Sequence, residues 1–237
     1  MKSGLVVITG ASTGIGQAVA EKYLAEGYPC LLLSRHIVRP KNCAYDNAIY
    51  QQVDVTDYRA LESAIRDAEK KYGETVCLVN NAGVLNIGDF REMDIEKINQ
   101  EVDVLVKGVL NGIRIVLPNM SDKKFGTIFN ISSIGDRKPF PTAVSYHGAK
   151  HAVRSISESL QMAEAANNVR IMNIAPGIIK TNIHESMGIS FEEYCEALGN
   201  PTFIESEELA DIIFYCWKLP QKICIRDLVV MPTDCAF

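Results

Sequence analysis

The sequence predicts an α/β fold: one doubly wound parallel sheet of about seven strands with helices on both faces. Three observations carry that prediction. Strand-like and helix-like stretches alternate from end to end of the chain. The strand-like runs are continuously apolar, as in Leu5-Val6-Val7-Ile8, the pattern of strands buried on both faces. The first of them ends in Thr9 and a glycine-rich turn, Gly10-Ala11-Ser12-Thr13-Gly14-Ile15-Gly16, which opens straight into helical spacing.

Taken in order, Leu5 to Thr9 is the first strand and Gln17 to Leu24 the first helix, broken by Gly27-Tyr28-Pro29. Cys30 to Leu33 is the second strand, and Ser34 to Asn47 reads as a loop. Ile49 to Val53 is the third strand, followed by Asp54-Val55-Thr56-Asp57, where Thr56 or Asp57 caps a helix reaching Tyr72 and Gly73. Thr75 to Val79 is the fourth strand and runs into Asn80-Asn81-Ala82-Gly83. A long helix fits Ile95 to Leu117, with Pro118 marking its end. Gly126 to Ile131 is the fifth strand, Tyr146 to Ala166 a helix and Val169 to Ile174 the sixth strand, stopped by Ala175-Pro176-Gly177. Ile178 to Ser206 is irregular or loosely helical, Glu207 to Leu219 a last helix, and Ile223 to Met231 a closing edge strand.

The 237 residues suit one domain, 1–237, with no linker or internal repeat. Apolar residues make up 47% and charged residues 22%, an ordinary globular balance. A net charge of −5 without a Lys/Arg run gives nucleic acid no basic face, and no apolar stretch approaches a membrane span. Seven cysteines form no Cys-x-x-Cys pair and several sit in apolar runs, so they read as reduced, structural thiols. A core strand starting at Leu5 leaves no room for a cleavable signal, and the cytoplasm is the expected compartment.

In such a sheet, ligands bind outside the carboxyl ends of the strands. Small and polar turns collect there: Gly10 to Gly16, Asn80 to Gly83, Ser132-Ser133 and Pro176-Gly177. The first of these exposes backbone N–H groups at the positive end of a helix, a geometry that binds a pyrophosphate. Singly, each is also an ordinary turn, cap or strand stop. Tyr146 and Lys150 lie four apart on a helix and so share a face. A phenol titrates near ~10, and a neighbouring ammonium brings it toward the working range of a general acid/base.

Thr9-Gly10-x-x-x-Gly14-Ile15-Gly16, Asn80-Asn81-Ala82-Gly83, Ser133 thirteen residues ahead of Tyr146, Tyr146-x-x-x-Lys150 and Pro176-Gly177-x-x-x-Thr181 together resemble the classical short-chain dehydrogenase/reductase family. The order and spacing match over nearly the whole chain. Asp54-Val55-Thr56-Asp57, the Ala175-Pro176-Gly177 stop and the ending Ile225-Arg226-Asp227-Leu228…Pro232-Thr233 look like its bacterial NADP-dependent reductases of hydroxy acids and small carbonyl compounds, the NADPH-binding blue-fluorescent members among them.

The resemblance implies a Rossmann-type fold and hydride transfer between a nicotinamide and a small carbonyl or alcohol substrate. Tyr146 would be the general acid/base, Ser133 would orient and polarise the carbonyl, and Lys150 would lower the phenol's pKa and bind the nicotinamide ribose. Gly10, Gly14 and Gly16 would receive the pyrophosphate, together with Ser12 and Thr13, and Ile15 would lie beneath the nicotinamide. Asp54 and Val55 would flank the adenine. Asn81, with Ala82 and Gly83, would hold the neighbouring backbone and ribose. Pro176, Gly177, Ile179 and Thr181 would complete the nicotinamide end, Thr181 at the carboxamide. Residues 178–206, including the helically spaced Met187, Phe191, Tyr194 and Leu198, would close over the substrate. The family's long helices imply a homodimer or homotetramer.

Cofactor choice is read at the end of the second strand. An acidic residue there would bond the ribose hydroxyls of NAD and repel a 2′-phosphate. Ser34-Arg35 offers a small hydroxyl and a guanidinium instead, so NADP(H) is favoured over NAD(H). His147 and His151 have a spacing seen in metal sites but no third ligand, and no metal is expected.

One position departs from the family pattern. Active members carry an asparagine in a Val-Asn-x-x-Gly stretch of the central helix, where it helps hold a water on the proton path. Here the stretch is Val104-Leu105-Val106-Lys107-Gly108, and leucine neither donates nor accepts a hydrogen bond. Asn111, six residues later, lies elsewhere on the helix. Leu105 therefore supports an alternative, an NADPH-binding protein with weak or lost catalysis that acts as a sensor or scaffold.

Overall fold

The computed structural model describes residues 3–41, 44–181, 183, 190–197, 199 and 201–235. Seven strands, β1 (Leu5–Thr9), β2 (Cys30–Ser34), β3 (Ala48–Gln52), β4 (Thr75–Asn80), β5 (Gly126–Ile131), β6 (Val169–Pro176) and β7 (Asp227–Val230), form one sheet in the order β3-β2-β1-β4-β5-β6-β7. Every pairing is parallel, the closing edge strand included. This is the Rossmann-type, doubly wound α/β sheet. The strand order reverses between β1 and β4, so the crevice outside their carboxyl ends is the switch point where such folds bind ligands.

Helices cover both faces, which is why the strands carry unbroken apolar runs. α1 (Gly14–Ala25) and α7 (Ser206–Lys218) pack on one face, where Val6 and Ile8 meet Tyr23, Phe214 and Trp217. The Tyr23 ring stands edge-on to Phe214 at 5.2 Å, and Trp217 serves this packing. On the other face Leu5 and Val7 meet Leu61 and Ile65 of α2 (Tyr58–Tyr72), with helix residues Ile113, Val116 and Val153 completing that core. Asp57 is the cap of α2, its carboxylate accepting the Ala60 N–H at 3.0 Å.

The long central helix differs from its expected form in two ways. It runs as α3 (Ile95–Val102), a π-helical stretch over Asp103–Lys107 and α4 (Gly108–Lys123), so Leu105 sits in a widened turn. It also continues through Pro118 and ends at Lys124 in the left-handed conformation. A proline in a helix removes one N–H and crowds a carbonyl one turn back. Arg66 reaches across from α2 and donates to the Ile115 carbonyl at 2.8 Å, serving that stretch of helix from outside.

α5 (Val144–Ala163) begins two residues before Tyr146 and gives way to a short turn over Ala165–Asn167. Its position on β5 is fixed by a buried polar chain: Asn80 Nδ2 donates to Asn130 Oδ1 (2.9 Å), Asn130 Nδ2 to Ser157 Oγ (2.9 Å), and Ser157 Oγ to the Val153 carbonyl (2.8 Å). Every donor in that chain finds an acceptor, which is what allows polar groups so deep in the core. Residues 178–206 contain α6 (Phe191–Ala197) and a parallel bridge between Ile179 and Ile204. Met187 and Leu198 lie outside the described residues, whereas Phe191 and Tyr194 pack on Phe203 with ring centroids 5.2 and 6.1 Å away. No helix among the described residues is long and apolar enough to cross a membrane.

Candidate active site

The turn after β1 is shaped by what glycine permits. Gly10 and Gly14 have φ of 64° and 55°, and a Cβ on Gly16 would stand 2.2 Å from the Gly10 carbonyl oxygen. Asn81, just past β4, clamps this turn. Its side-chain amide donates to the carbonyls of Thr9 (3.1 Å) and Gly10 (3.0 Å), and the N–H groups of Asn81 and Ala82 donate to Thr9 Oγ1 at 3.0 and 3.1 Å. Thr13 is the N-cap of α1 but makes no side-chain capping bond, and no acidic residue occupies the first turn. The N–H donors at that positive helix end are thus left for an anion.

Other sequence-predicted residues gather around this turn. Ser12 Oγ and Ser34 Oγ lie 3.0 Å apart, which ties the turn to the end of β2 beside the exposed Arg35. Asp54 accepts from the N–H and hydroxyl of Thr56 at 2.9 and 2.8 Å. Val55 is buried against Gly108, where a Cβ would come within 2.6 Å of it. Ile15 packs on the core between α1 and α7. Thr181 lies over the glycine turn, its methyl 3.1 Å from where a Gly14 Cβ would be. Gly177 donates its N–H to Val230 at 2.8 Å and, by lacking a Cβ, makes room for Met231. Pro176 pairs with Val230 at the end of β6.

The second cluster stands where β5 ends. Ser133 begins a tight helical turn over Ile134–Asp136, accepts the Gly135 N–H at 3.0 Å and faces the Tyr146 phenol, whose pKa it pulls down. Burial pushes that phenol up to about 12, against the opposing pull of Ser133, and Tyr194, Glu101 and Asp136 add to the rise. Lys150 is buried, which lowers its ammonium to about 8, with Asp136 acting the other way. Its Nζ donates to the Ile131 carbonyl at 2.8 Å and lies 5.7 Å from the centre of the Tyr146 ring. At neutral pH the cluster therefore holds a protonated phenol, a hydroxyl facing it and a neighbouring ammonium. That set can hold an oxygen and deliver a proton to it.

Three supports are invisible to motif reading. His147 is buried, and its Nδ1 meets the Gly135 carbonyl at 3.1 Å. A side chain on Gly135 would collide with that ring, 2.3 Å from Nδ1, so this glycine follows from the histidine behind it. Among the described residues no group of three potential metal ligands exists. Arg137 forks between the fully buried Asp136 (Nε to Oδ1, 2.6 Å) and Asp227 on β7 (2.8 and 2.9 Å), and Asn173 Nδ2 donates to both carboxylates at 2.9 Å. Glu101 of α3 is also fully buried. Of these residues the sequence singled out only His147, for its spacing to His151, and Asp227, within the closing segment.

Leu105 is 1% exposed, and its Cδ2 would lie 3.4 Å from a Cβ on Gly83. Asn111 spends its amide on the carbonyls of Val55 (2.9 Å) and Thr56 (3.4 Å), so it is engaged at the turn after β3 rather than near Lys150.

Removing the guanidinium from the buried fork leaves Asp136 uncompensated. Arg137→Ala should destabilise the fold by about 3 kcal/mol in urea unfolding at neutral pH. The penalty should shrink in acid, because the Arg137 guanidinium holds the Asp227 carboxyl below the usual carboxylate range and that part of the wild-type advantage is lost as Asp227 protonates. A loss that did not depend on pH would contradict this assignment.

Comparison with known proteins points the same way. Residues 4–189 match the family model for short chain dehydrogenases. An uncharacterized oxidoreductase of Staphylococcus saprophyticus is 31% identical over 99% of this chain and 98% of its own length. The closed form of serine dehydrogenase complexed with NADP+ superimposes with a TM-score of 0.92 at 24% identity, covering 98% of this chain and 96% of that one. ElxO with NADP bound gives a TM-score of 0.86 at 27% identity over 97% and 98% of the two chains. A family match over most of the chain makes this protein a member of the short chain dehydrogenase family of oxidoreductases.

Proposed function

We propose that this protein is an NADP(H)-dependent oxidoreductase acting on a small carbonyl or alcohol substrate. The observation that carries the reading is the pairing of Ser133 with the Tyr146 phenol beside the buried Lys150, at the sheet edge that also presents the glycine turn. The residues present fit a dinucleotide. The uncapped N-terminus of α1 would receive its pyrophosphate, and Gly10, Gly14 and Gly16 would let the backbone approach it. Ser12, Thr13 and Ile15 in that turn and Asn81, Ala82 and Gly83 beside it would help hold the cofactor, Asp54 and Val55 toward its adenine and Pro176, Gly177, Ile179 and Thr181 toward its nicotinamide. NADP is supported by Arg35, exposed at the end of β2 with no carboxylate beside it, and by the NADP in the ElxO structure.

Bound there, the nicotinamide supplies or accepts the hydride. In reduction, the Ser133 hydroxyl holds the carbonyl oxygen and Tyr146 donates its proton to that oxygen as negative charge develops. The Lys150 ammonium stabilises the phenolate left behind. In alcohol oxidation Tyr146 must first lose its proton, and its raised pKa makes that the harder direction at neutral pH. The buried Leu105 favours the second reading, slow proton resupply behind Lys150 in a protein that mainly binds NADPH. The intact Ser133–Tyr146 pair favours turnover.

Tyr146→Phe should cut carbonyl reduction by about 10²–10⁴-fold while NADPH affinity is retained. Equal turnover by the two proteins would contradict the assignment. In the wild type, reduction should be level through neutral pH and fall above about 8 as Lys150 loses its ammonium, whereas oxidation should rise with alkalinity. Arg35→Ala should weaken NADPH binding by about 10–100-fold and leave NADH unaffected, as measured by fluorescence titration. An unchanged NADPH/NADH ratio would remove Arg35 from cofactor selection.

A further inference from the structure

Glu101 stands four residues before Leu105 and is fully withdrawn from solvent. A buried carboxylate is tolerated only where donors replace its water. Glu101 has them. Oε1 accepts the Asn86 N–H at 2.7 Å and the Asn86 side-chain amide at 3.4 Å, and Oε2 accepts the Ser145 hydroxyl. Asn86 lies on the chain leaving β4, and Ser145 immediately precedes Tyr146 in the first turn of α5. One carboxylate thus ties three segments together: α3, the stretch after the Asn81 clamp, and the turn that carries the phenol.

We propose that Glu101 is a positioning residue for proton transfer: through Ser145 it fixes the first turn of α5 and the Tyr146 phenol, on a helix whose family asparagine position is held by the apolar Leu105. The inference rests on the reading of Tyr146 as proton donor. Its geometry has an electrostatic consequence. Tyr146 is faced by Ser133 and Asp136 from the turn after β5, by Tyr194 from α6, by Glu101 from α3, and by Lys150 and the His147 ring from its own helix. Glu101 in turn is faced by Asn86, Ser145 and His147, the last with its pKa lowered chiefly by burial. Glu101 and Asp136 disfavour the phenolate, and Asp136 is compensated by Arg137. Glu101 thus adds to the rise that burial imposes on the Tyr146 phenol.

Two measurements on purified protein with NADPH or NADP+ test this. In Glu101→Gln, kcat for carbonyl reduction should fall at least about tenfold with the NADPH Kd unchanged. The pH profile for alcohol oxidation should move to lower pH because the opposing charge is gone. Ser145→Ala should reproduce the kcat loss without the pH shift, and Glu101→Asp should restore the pH profile. The second measurement needs no turnover: the 13Cζ-tyrosine NMR signal of Tyr146, identified by its absence in Tyr146→Phe, should change in Glu101→Gln and Ser145→Ala at neutral pH. If both variants kept the wild-type kcat, profile and Tyr146 signal, the proposal would be overturned, and a loss of thermal stability alone would overturn it too. If Glu101→Gln failed to fold, an unchanged kcat and signal in Ser145→Ala would have the same force. A wild type that reduced no carbonyl compound would instead defeat the reading of the site, while the NMR comparison would still decide whether Glu101 positions the phenol.

Discussion

The Asn81 amide, shared between the carbonyls of Thr9 and Gly10, is the contact on which the rest of this molecule depends. A parallel sheet delivers every strand's carboxyl end to one edge, and its order reverses between β1 and β4. Without a tie across that reversal the two halves of the edge would be independent loops. Asn81 and the Thr9 hydroxyl make them one surface, and with it the glycine turn acquires a fixed floor. The same surface continues through the Asn80–Asn130–Ser157 chain to α5 and so to Tyr146. The clamp and the chain start from the adjacent residues Asn81 and Asn80, so the glycine turn and α5 are both seated from the end of β4.

That connection explains how much could be read in the sequence. The strands were legible because burial on both faces demands unbroken apolar runs, and Leu5 to Ile8 and Cys30 to Leu33 supply them. The two ends of the site were legible because glycine spacing and a Tyr/Lys pair on one helix face are local patterns. The interruption of the central helix was not. Its apolar spacing is compatible with a continuous α-helix, and only the packing of Val55 on Gly108 and of Leu105 toward Gly83 shows how the π-helical turn is seated. Pro118 misled too: the helix continues through it to Lys123, with Arg66 of α2 donating to the Ile115 carbonyl in the turn before it.

The buried charges were hidden most completely. Glu101, Asp136 and Arg170 look in sequence like any surface residues, yet each is nearly or fully removed from solvent. Arg170 donates to Thr127 and to the carbonyls of Trp217 and Leu219, at the negative end of α7. Such partners come from elements far apart in the chain, so no window of sequence contains them. Two of them, Glu101 and Asp136, also add to the rise that burial imposes on the Tyr146 phenol. In the proposed reaction that rise would favour reduction over oxidation near neutrality.

In the proposed reaction a carbonyl carbon would take the nicotinamide's hydride while Tyr146 protonates the oxygen. The most direct measurement is isotopic: the protein is incubated with NADPH deuterated at the transferable C4 position and a panel of small ketones and aldehydes, and the alcohols are analysed by mass spectrometry. The account predicts one deuterium on the carbinol carbon of the product alcohol. Tight NADPH binding with no deuterated alcohol from any carbonyl compound would contradict it.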